Sequence, residues 1–431
     1  MTAQRMAMIA LVAGLLMAAV GVTAQGGPAW AVAEAAPLAL PSSVGLRTFP
    51  APDGRHYAYE SAVRLNGHID RFLCAADSLS ATEALCLVPL ENVERGLDVE
   101  ARTAFMPVGW AADGSRLAFV GQPLLTGDDV DLWIMDVAAG TWTNLADDGY
   151  DGLLTAAEVP PGVTLELQPA WSPDGAFIAV ERTVTGTDGA LQPSTISLVE
   201  AATGAVTDLT TLPGSSQYPF DAGATAGLTW SPDGAQLALS LAHSSLDAAV
   251  DGVWLVDLES GALTQVAALA DIQASLSAVY PEVTLASLGP LSWSPDGARL
   301  LFWAGNINAN PVAIWAFWIT LADGSITPLP LPAHPNDSGT RRGIWPLQAA
   351  WSPDGGSLLI AASGKLPDET LESLDPAARA RMSVRLVDVA SGESYLLGGL
   401  PAGAAAPFYL ATWGPGGDAL LNGYHLRMVQ P

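Results

Sequence analysis

One phrase, repeated, decides what this chain can fold into. Aligned on a single turn, seven segments read PAPDGRHYAYE from Pro50, WAADGSRLAFV from Trp110, WSPDGAFIAVE from Trp171, WSPDGAQLALS from Trp230, WSPDGARLLFW from Trp293, WSPDGGSLLIA from Trp351 and WGPGGDALLNG from Trp413. The shared turn position is Asp53, Asp113, Asp174, Asp233, Asp296, Asp354 and Gly416, at successive intervals of 60, 61, 59, 63, 58 and 62 residues. A fixed period of this kind marks a repeat architecture in which each copy is one supersecondary unit. Proline sets φ for the first turn position, Asp tolerates the second, and Gly takes the left-handed position that closes a hairpin. The alternating apolar stretch that follows, such as Phe177-Ile178-Ala179-Val180, reads as a strand. The tryptophan reads as a packing residue, its burial contributing on the order of a few kcal/mol.

A second turn recurs downstream. Gly140, Gly204, Gly261, Gly324 and Gly392 each sit between two strand-like runs, 27, 30, 28, 28 and 38 residues after their motif Asp. Each repeat therefore holds four short strands, two tight turns and one variable loop. Four-stranded antiparallel units repeated radially are propeller blades, and a repeat of about 60 residues is too long for a β-solenoid rung. The expected fold is all-β: a seven-bladed β-propeller of four-stranded blades. The last blade turns at Asn422-Gly423 and ends without a fourth strand. Pro37-Leu38-Ala39-Leu40-Pro41, which resembles Pro328 to Pro332, is expected to supply it and close the ring.

Length alone, 431 residues, would suggest about three domains; the repeat makes one. Apolar residues make up 50%, enough for a large core. The formal charge of -27 arises from 44 acidic against 17 basic residues, with Lys365 the sole lysine. Such a chain repels phosphate backbones and anionic lipid, which excludes nucleic acid and anionic membrane surfaces as partners.

The N-terminal segment reads as an address. Met6 to Val22 is an unbroken apolar run, and Gly26-Gly27-Pro28 would end a helix behind it. Ala31-Val32-Ala33 offers the small-x-small pattern of a signal peptidase site, with Val22-Thr23-Ala24 as a second. Cleavage after Ala33 is the expectation, giving a signal peptide over 1–33 and the propeller over 34–431, in an exported, periplasmic or extracellular protein. The alternative is an uncleaved membrane anchor, since 17 apolar residues approach a span.

The WSPDG phrase, its apolar strand and the later aspartate–glycine hairpin resemble the WD-repeat-like propeller blades of TolB. They are also similar to the propellers that gate prolyl-oligopeptidase-type peptidases. The resemblance covers essentially the whole mature chain and implies the fold. The α/β domain that precedes the TolB propeller has no counterpart here, and no G-x-S-x-G elbow of a hydrolase occurs.

Up-and-down topology sorts the connections by end. The first-to-second and third-to-fourth turns are short; the second-to-third loops and blade crossovers at the other end are long, as in Asp147 to Gln168, Leu212 to Gly227, Leu269 to Gly289 and Pro332 to Leu347. Long loops on a rigid scaffold are where binding sites concentrate. The candidate ligand-binding residues at that end are Tyr150, Tyr218, Phe220, Tyr280, Trp345, Phe408 and Tyr409, with Arg341 and Arg342 conspicuous in a base-poor chain. Plugging of the funnel by the aromatics and local ion pairing of the arginines are the plainer readings. A blade-six insertion, Ser363 to Met382, reads as a short helix with Asp375 and Arg379 at i,i+4.

The remaining chemistry is sparse. His56, His68, His243, His334 and His425 lack metal-ligand spacing. Asp128-Asp129-x-Asp131 and Asp147-Asp148-x-x-Asp151 lack EF-hand order, which leaves calcium as the one cofactor candidate. Cys74 and Cys86 flank position 80, where the hairpin turn of the other blades falls, so a structural disulfide is expected. The chain reads as a monomeric, non-enzymatic scaffold binding a protein, peptide or envelope polymer through its long-loop end. The alternatives are a lactonase- or lyase-like propeller enzyme with a channel-mouth metal, and a membrane-anchored sensor ectodomain.

Overall fold

The tryptophan, serine, aspartate and glycine of the repeated phrase each do a separate job in the computed structural model. In blades three to six the motif serine hydroxyl donates to the aspartate two residues on, at 2.6 Å in Ser172–Asp174, Ser231–Asp233, Ser294–Asp296 and Ser352–Asp354. The same hydroxyl accepts the backbone N–H five residues on, from Phe177, Gln236, Arg299 and Ser357. The turn is thereby a closed hydrogen-bond circuit. Its glycine takes positive φ, 70° at Gly175 and 71° at Gly234, which a Cβ would strain.

The structure describes residues 28–38, 48–65, 68–79, 85–87, 105–121, 131–150, 160–188, 192–213, 225–241, 249–278, 281, 284–306, 313–329, 348–361, 384–397, 411–421 and 424–430. The chain enters through β1 (Ala31–Pro37) and then builds blade one from β2 (Thr48–Pro50), β3 (His56–Leu65), β4 (His68–Asp77) and β5 (Leu85–Leu87). Blade two is β6 (Phe105–Trp110), β7 (Arg116–Gly121), β8 (Asp131–Asp136) and β9 (Thr141–Asn144). Blade three is β10 (Thr164–Trp171), β11 (Phe177–Val184), β12 (Thr195–Glu200) and β13 (Val206–Thr211). Blade four is β14 (Thr225–Trp230), β15 (Gln236–Leu241), β16 (Gly252–Asp257) and β17 (Leu263–Ala268), followed by α1 (Leu269–Ser277). Blade five is β18 (Ser287–Trp293), β19 (Arg299–Asn306), β20 (Ala313–Thr320) and β21 (Ser325–Pro328). Blade six is β22 (Gln348–Trp351), β23 (Ser357–Ala361), β24 (Val384–Asp388) and β25 (Ser394–Leu396). Blade seven is β26 (Ala411–Trp413), β27 (Asp418–Leu421) and β28 (Tyr424–Val429), with β1 as its fourth strand. The seven antiparallel sheets stand in a ring. First strands of neighbouring blades lie against one another, β6 on β10, β10 on β14 and β14 on β18, so these strands form the inner wall.

The core is divided among the gaps between blades, and a motif tryptophan occupies six of them. Trp110, Trp171, Trp230, Trp293, Trp351 and Trp413 each belong to a separate cluster. Four of the indoles also donate to a backbone carbonyl of the preceding inner strand: Trp110 to Phe49 at 2.9 Å, Trp230 to Ala170 at 2.8 Å, Trp293 to Thr229 at 3.3 Å and Trp351 to Ser292 at 3.4 Å. The tryptophan is thus both filler and stitch.

The seventh gap, between blades seven and one, is built differently because Pro50 stands where the other phrases have tryptophan. Here Tyr57 and Tyr59 stack at 6.0 Å and share a cluster with Leu38, Cys74 and Leu420. A Cβ on Gly54 would lie 2.0 Å from the Asp418 carbonyl oxygen, so the two turns meet backbone to backbone. The Thr412 hydroxyl completes the seam by donating to the Ala51 carbonyl at 3.1 Å.

Ring closure by an N-terminal strand holds, but the strand is displaced from the expected one. Ala31–Pro37 pairs with β28, from Ala31 opposite Val429 to Pro37 opposite Tyr424, with a bulge at Ala33. Pro37 ends the strand and Leu38 follows it as a buried residue, so Pro37–Pro41 is not the closing element. The physical reason is the side-chain pattern of AVAEAAP, whose Val32 and Ala35 pack on the blade-seven cluster while Ala33 and Glu34 face outward.

Cys74 and Cys86 stand opposite each other across β4 and β5 and are joined by a disulfide. One connection expected to be loop holds α1, where Ile272 and Leu276, four residues apart, bury one face. The blade-six insertion and the Asn422-Gly423 turn lie outside the described residues. Among those residues, no helix is long and apolar enough to cross a membrane.

Candidate functional site

The ring has two chemically unlike ends. At the short-turn end the acidic side chains are committed to the turns. Ser172, Ser231 and Ser294 hydroxyls, then the backbone N–H groups of Ala176, Ala235 and Ala298, hold Asp174, Asp233 and Asp296 below the usual carboxylate range. In blade one Asp53 accepts from the N–H groups of Arg55 and His56, and the His56 ring pairs with it at 2.5 Å. In blade two Asp113 accepts the Ser115 N–H and hydroxyl.

The long-loop end is where charge is buried. Among the described residues, the Asp, Glu, Arg and His side chains buried most deeply are Asp131, Glu166, Glu181, Asp251, Arg385 and His425. Each lies in the half of its strand nearest the long connections, or just before the strand begins there. The densest group spans blades two and three. Glu166, third in the inner strand β10, faces Arg182 across the β10–β11 ladder, and the guanidinium Nε donates to its Oε1 at 3.2 Å. Arg182 also lies 3.8 Å from Asp208, whose Oδ1 accepts from Ser197 at 2.7 Å. Asp131, first in β8, accepts from Asn144 at 2.7 Å. Burial, reinforced by the Asp131 charge, pushes the Glu166 carboxyl up to about 8 against the opposing pull of Arg182 and Thr164.

The inner wall beside this group is irregular. β10 is bulged between Leu167 and Ala170, with Gln168 at a φ of 56°. Bulges recur in β6, β14 and β18. Such bulges re-aim side chains along a strand, and here they fall on the wall of the central channel.

The raised Glu166 carboxyl has a measurable consequence. A folded-state value above the unfolded one of 4.5 stabilises the fold fully below pH 4.5, and that contribution is lost as pH rises through about 8. Relative to Glu166→Gln, the native chain should therefore lose about 3 kcal/mol of stability between pH 5 and pH 8. Paired urea titrations at the two pH values read this directly. Parallel behaviour of the two chains would mean that Arg182 already keeps the carboxylate ionised.

Of the candidate ligand-binding residues, Tyr150 alone is described. It is half-buried, and its N–H is held by the Asp148 carboxylate at 2.9 Å. Tyr218, Phe220, Tyr280, Arg341, Arg342, Trp345, Phe408 and Tyr409 lie outside the described residues. Asp147 and Asp148 are occupied by the loop itself: Asp147 accepts the Gly149 N–H, and Asp148 accepts the Thr164 N–H at 2.5 Å. Among the described residues no group of three or more His, Cys, Asp or Glu is placed to hold a metal. The Glu166–Arg182 pair was not singled out from the sequence. Its signal was present, as charges inside the apolar strands TLELQPAW and FIAVERTV.

No protein-family profile matches the chain, and no curated protein matches it. Solved structures do. TolB from Acinetobacter baumannii aligns at a TM-score of 0.42 and 13% identity over 80% of this chain. An oligogalacturonate lyase in complex with manganese aligns at 0.48 and 12% identity, over 93% of this chain and 99% of its own. The Cps50 (Swd1) β-propeller domain of Myceliophteria thermophila aligns at 0.44 and 12% identity over 91% and 98%. The likeness is one of fold. The chain spans 64% of the length of the TolB structure.

Proposed function

We propose that the chain is an exported, non-enzymatic propeller scaffold that binds a protein or peptide partner, or an envelope polymer, through its long-loop end. The observation that carries this reading is the segregation of buried charge toward that end, with Glu166, Arg182 and Asp131 in the halves of their strands that lead into the long connections. The opposite end spends its carboxylates on its own turns. Buried, hydrogen-bonded polar groups at the strand ends make a rigid base for a recognition surface carried by loops. The apolar run Met6–Val22 and the Cys74–Cys86 disulfide support export, since structural disulfides persist in oxidising compartments. No cofactor is assigned, and calcium at the acidic loops stays a candidate.

The test is site-specific photo-cross-linking of the full chain in its producing cell. A photoreactive residue at Tyr150 or Trp345 should give discrete partner adducts, whereas the same residue at Ser260 or Ser391, in short-turn hairpins, should give none. Adducts from the short-turn positions alone would contradict the reading.

A further inference from the structure

The candidate processing triplet Ala31-Val32-Ala33 lies inside the strand that closes the ring. β1 makes its pairs with β28 from Ala31 opposite Val429 and Val32 opposite Met428 onward. Just ahead of it Trp30 sets its ring edge-on to Trp413, centroids 4.9 Å apart, and joins Val32 and Ala35 against the blade-six and blade-seven cluster. Trp413 is the motif tryptophan of the last blade, so Trp30 covers it as blade-seven closure requires. From the other end of the chain, Gln430 donates to Asp354 of blade six at 2.8 Å. Trp30, ahead of the closing strand, and Gln430, after β28, are therefore both fastened at the boundary between blades six and seven.

Cleavage after Ala33 would remove Trp30, Ala31 and Val32. It would strip the cover from Trp413, delete two register pairs and leave Met428 and Val429 at the end of β28 as an open edge. The second small-residue site, Val22-Thr23-Ala24, leaves all of β1 and Trp30 in place. It also sits two residues behind the apolar run ending at Val22, where a peptidase at the membrane surface meets the chain first.

We infer that leader cleavage occurs after Ala24 and not after Ala33, so that the mature chain begins at Gln25 and carries Trp30 and the complete closing strand. The inference rests on the export reading, and the experiment separates their failures. The full chain is produced in a host with general secretory export, and protein recovered outside the cytoplasm is N-terminally sequenced. A start at Gln25 is expected; a start at Glu34 would overturn the inference while leaving export intact. A chain starting at Met1 and anchored outside the cytoplasm would overturn the inference alone, and an unprocessed chain confined to the cytoplasm would overturn both. Two substitutions supply a second readout. Ala24→Asp should cut the yield of processed chain at least tenfold. Ala33→Asp, on an outward-facing strand position, should leave the yield and the Gln25 start unchanged. The reverse pattern would overturn the inference.

Discussion

Deleting residues 28–37 is expected to destabilise this protein more than any single substitution in the ring, by on the order of 4–6 kcal/mol. The deletion exposes the cluster surface covered by Trp30, Val32 and Ala35. It also frees the whole ladder of β28, from Tyr424 to Val429, as an unpaired edge. An exposed edge is a template for pairing between chains, so the truncated protein should self-associate. Denaturant titration and light scattering check the two halves of this expectation. A synthetic peptide of residues 28–38, added in excess, should restore the monomer. A truncated chain that unfolds like the parent and stays monomeric would mean that the seam at Tyr57, Thr412 and Gly54 closes the ring by itself.

Trp230→Ala is expected to cost about 3–5 kcal/mol, because a large buried ring at a blade interface leaves a cavity that flanking sheets cannot collapse into. Trp230→Phe should keep most of the packing and lose the indole donor to the Ala170 carbonyl, at about 1 kcal/mol. The comparison with Trp171 separates the two contributions. Among the described residues the buried Trp171 indole nitrogen has no hydrogen-bond partner, while the Arg116 guanidinium lies 4.6 Å over its ring. Trp171→Phe should thus be the milder change of the pair, since no stitch is cut. Equal costs at both positions, read by urea titration, would show that the indole hydrogen bonds are incidental to blade docking.

How much of this was legible in the sequence follows from where the physics is local. Asp174 and Gly175 fix a turn by their own backbone preferences, so the blade count and the strand order could be read from spacing alone. The closing strand could not. AVAEAAP is as rich in small apolar residues as the leader-like run before it, and only pairing with β28 at the far end of the chain distinguishes the two. The helix Leu269–Ser277 was missed for a related reason: a single i,i+4 pair, Ile272 and Leu276, gives too short a period to stand out beside the strands. The Glu166–Arg182 pair depends on two strands meeting in register, a contact that composition does not carry. The role of the motif serine as both donor and acceptor is visible in the hydrogen bonds of Ser172 and Ser231 and in nothing simpler.

The central claim, that the first strand of the chain is the last strand of the ring, is tested most directly by a cysteine pair at Glu34 and Arg427. These residues are directly opposed across β1 and β28 and both face solvent. The Glu34→Cys/Arg427→Cys chain should oxidise to a second disulfide, read as a 2 Da mass loss per bond and a reduction-sensitive gel shift. A Leu40→Cys/Arg427→Cys chain should not. Cross-linking through position 40 with none through position 34 would contradict the account.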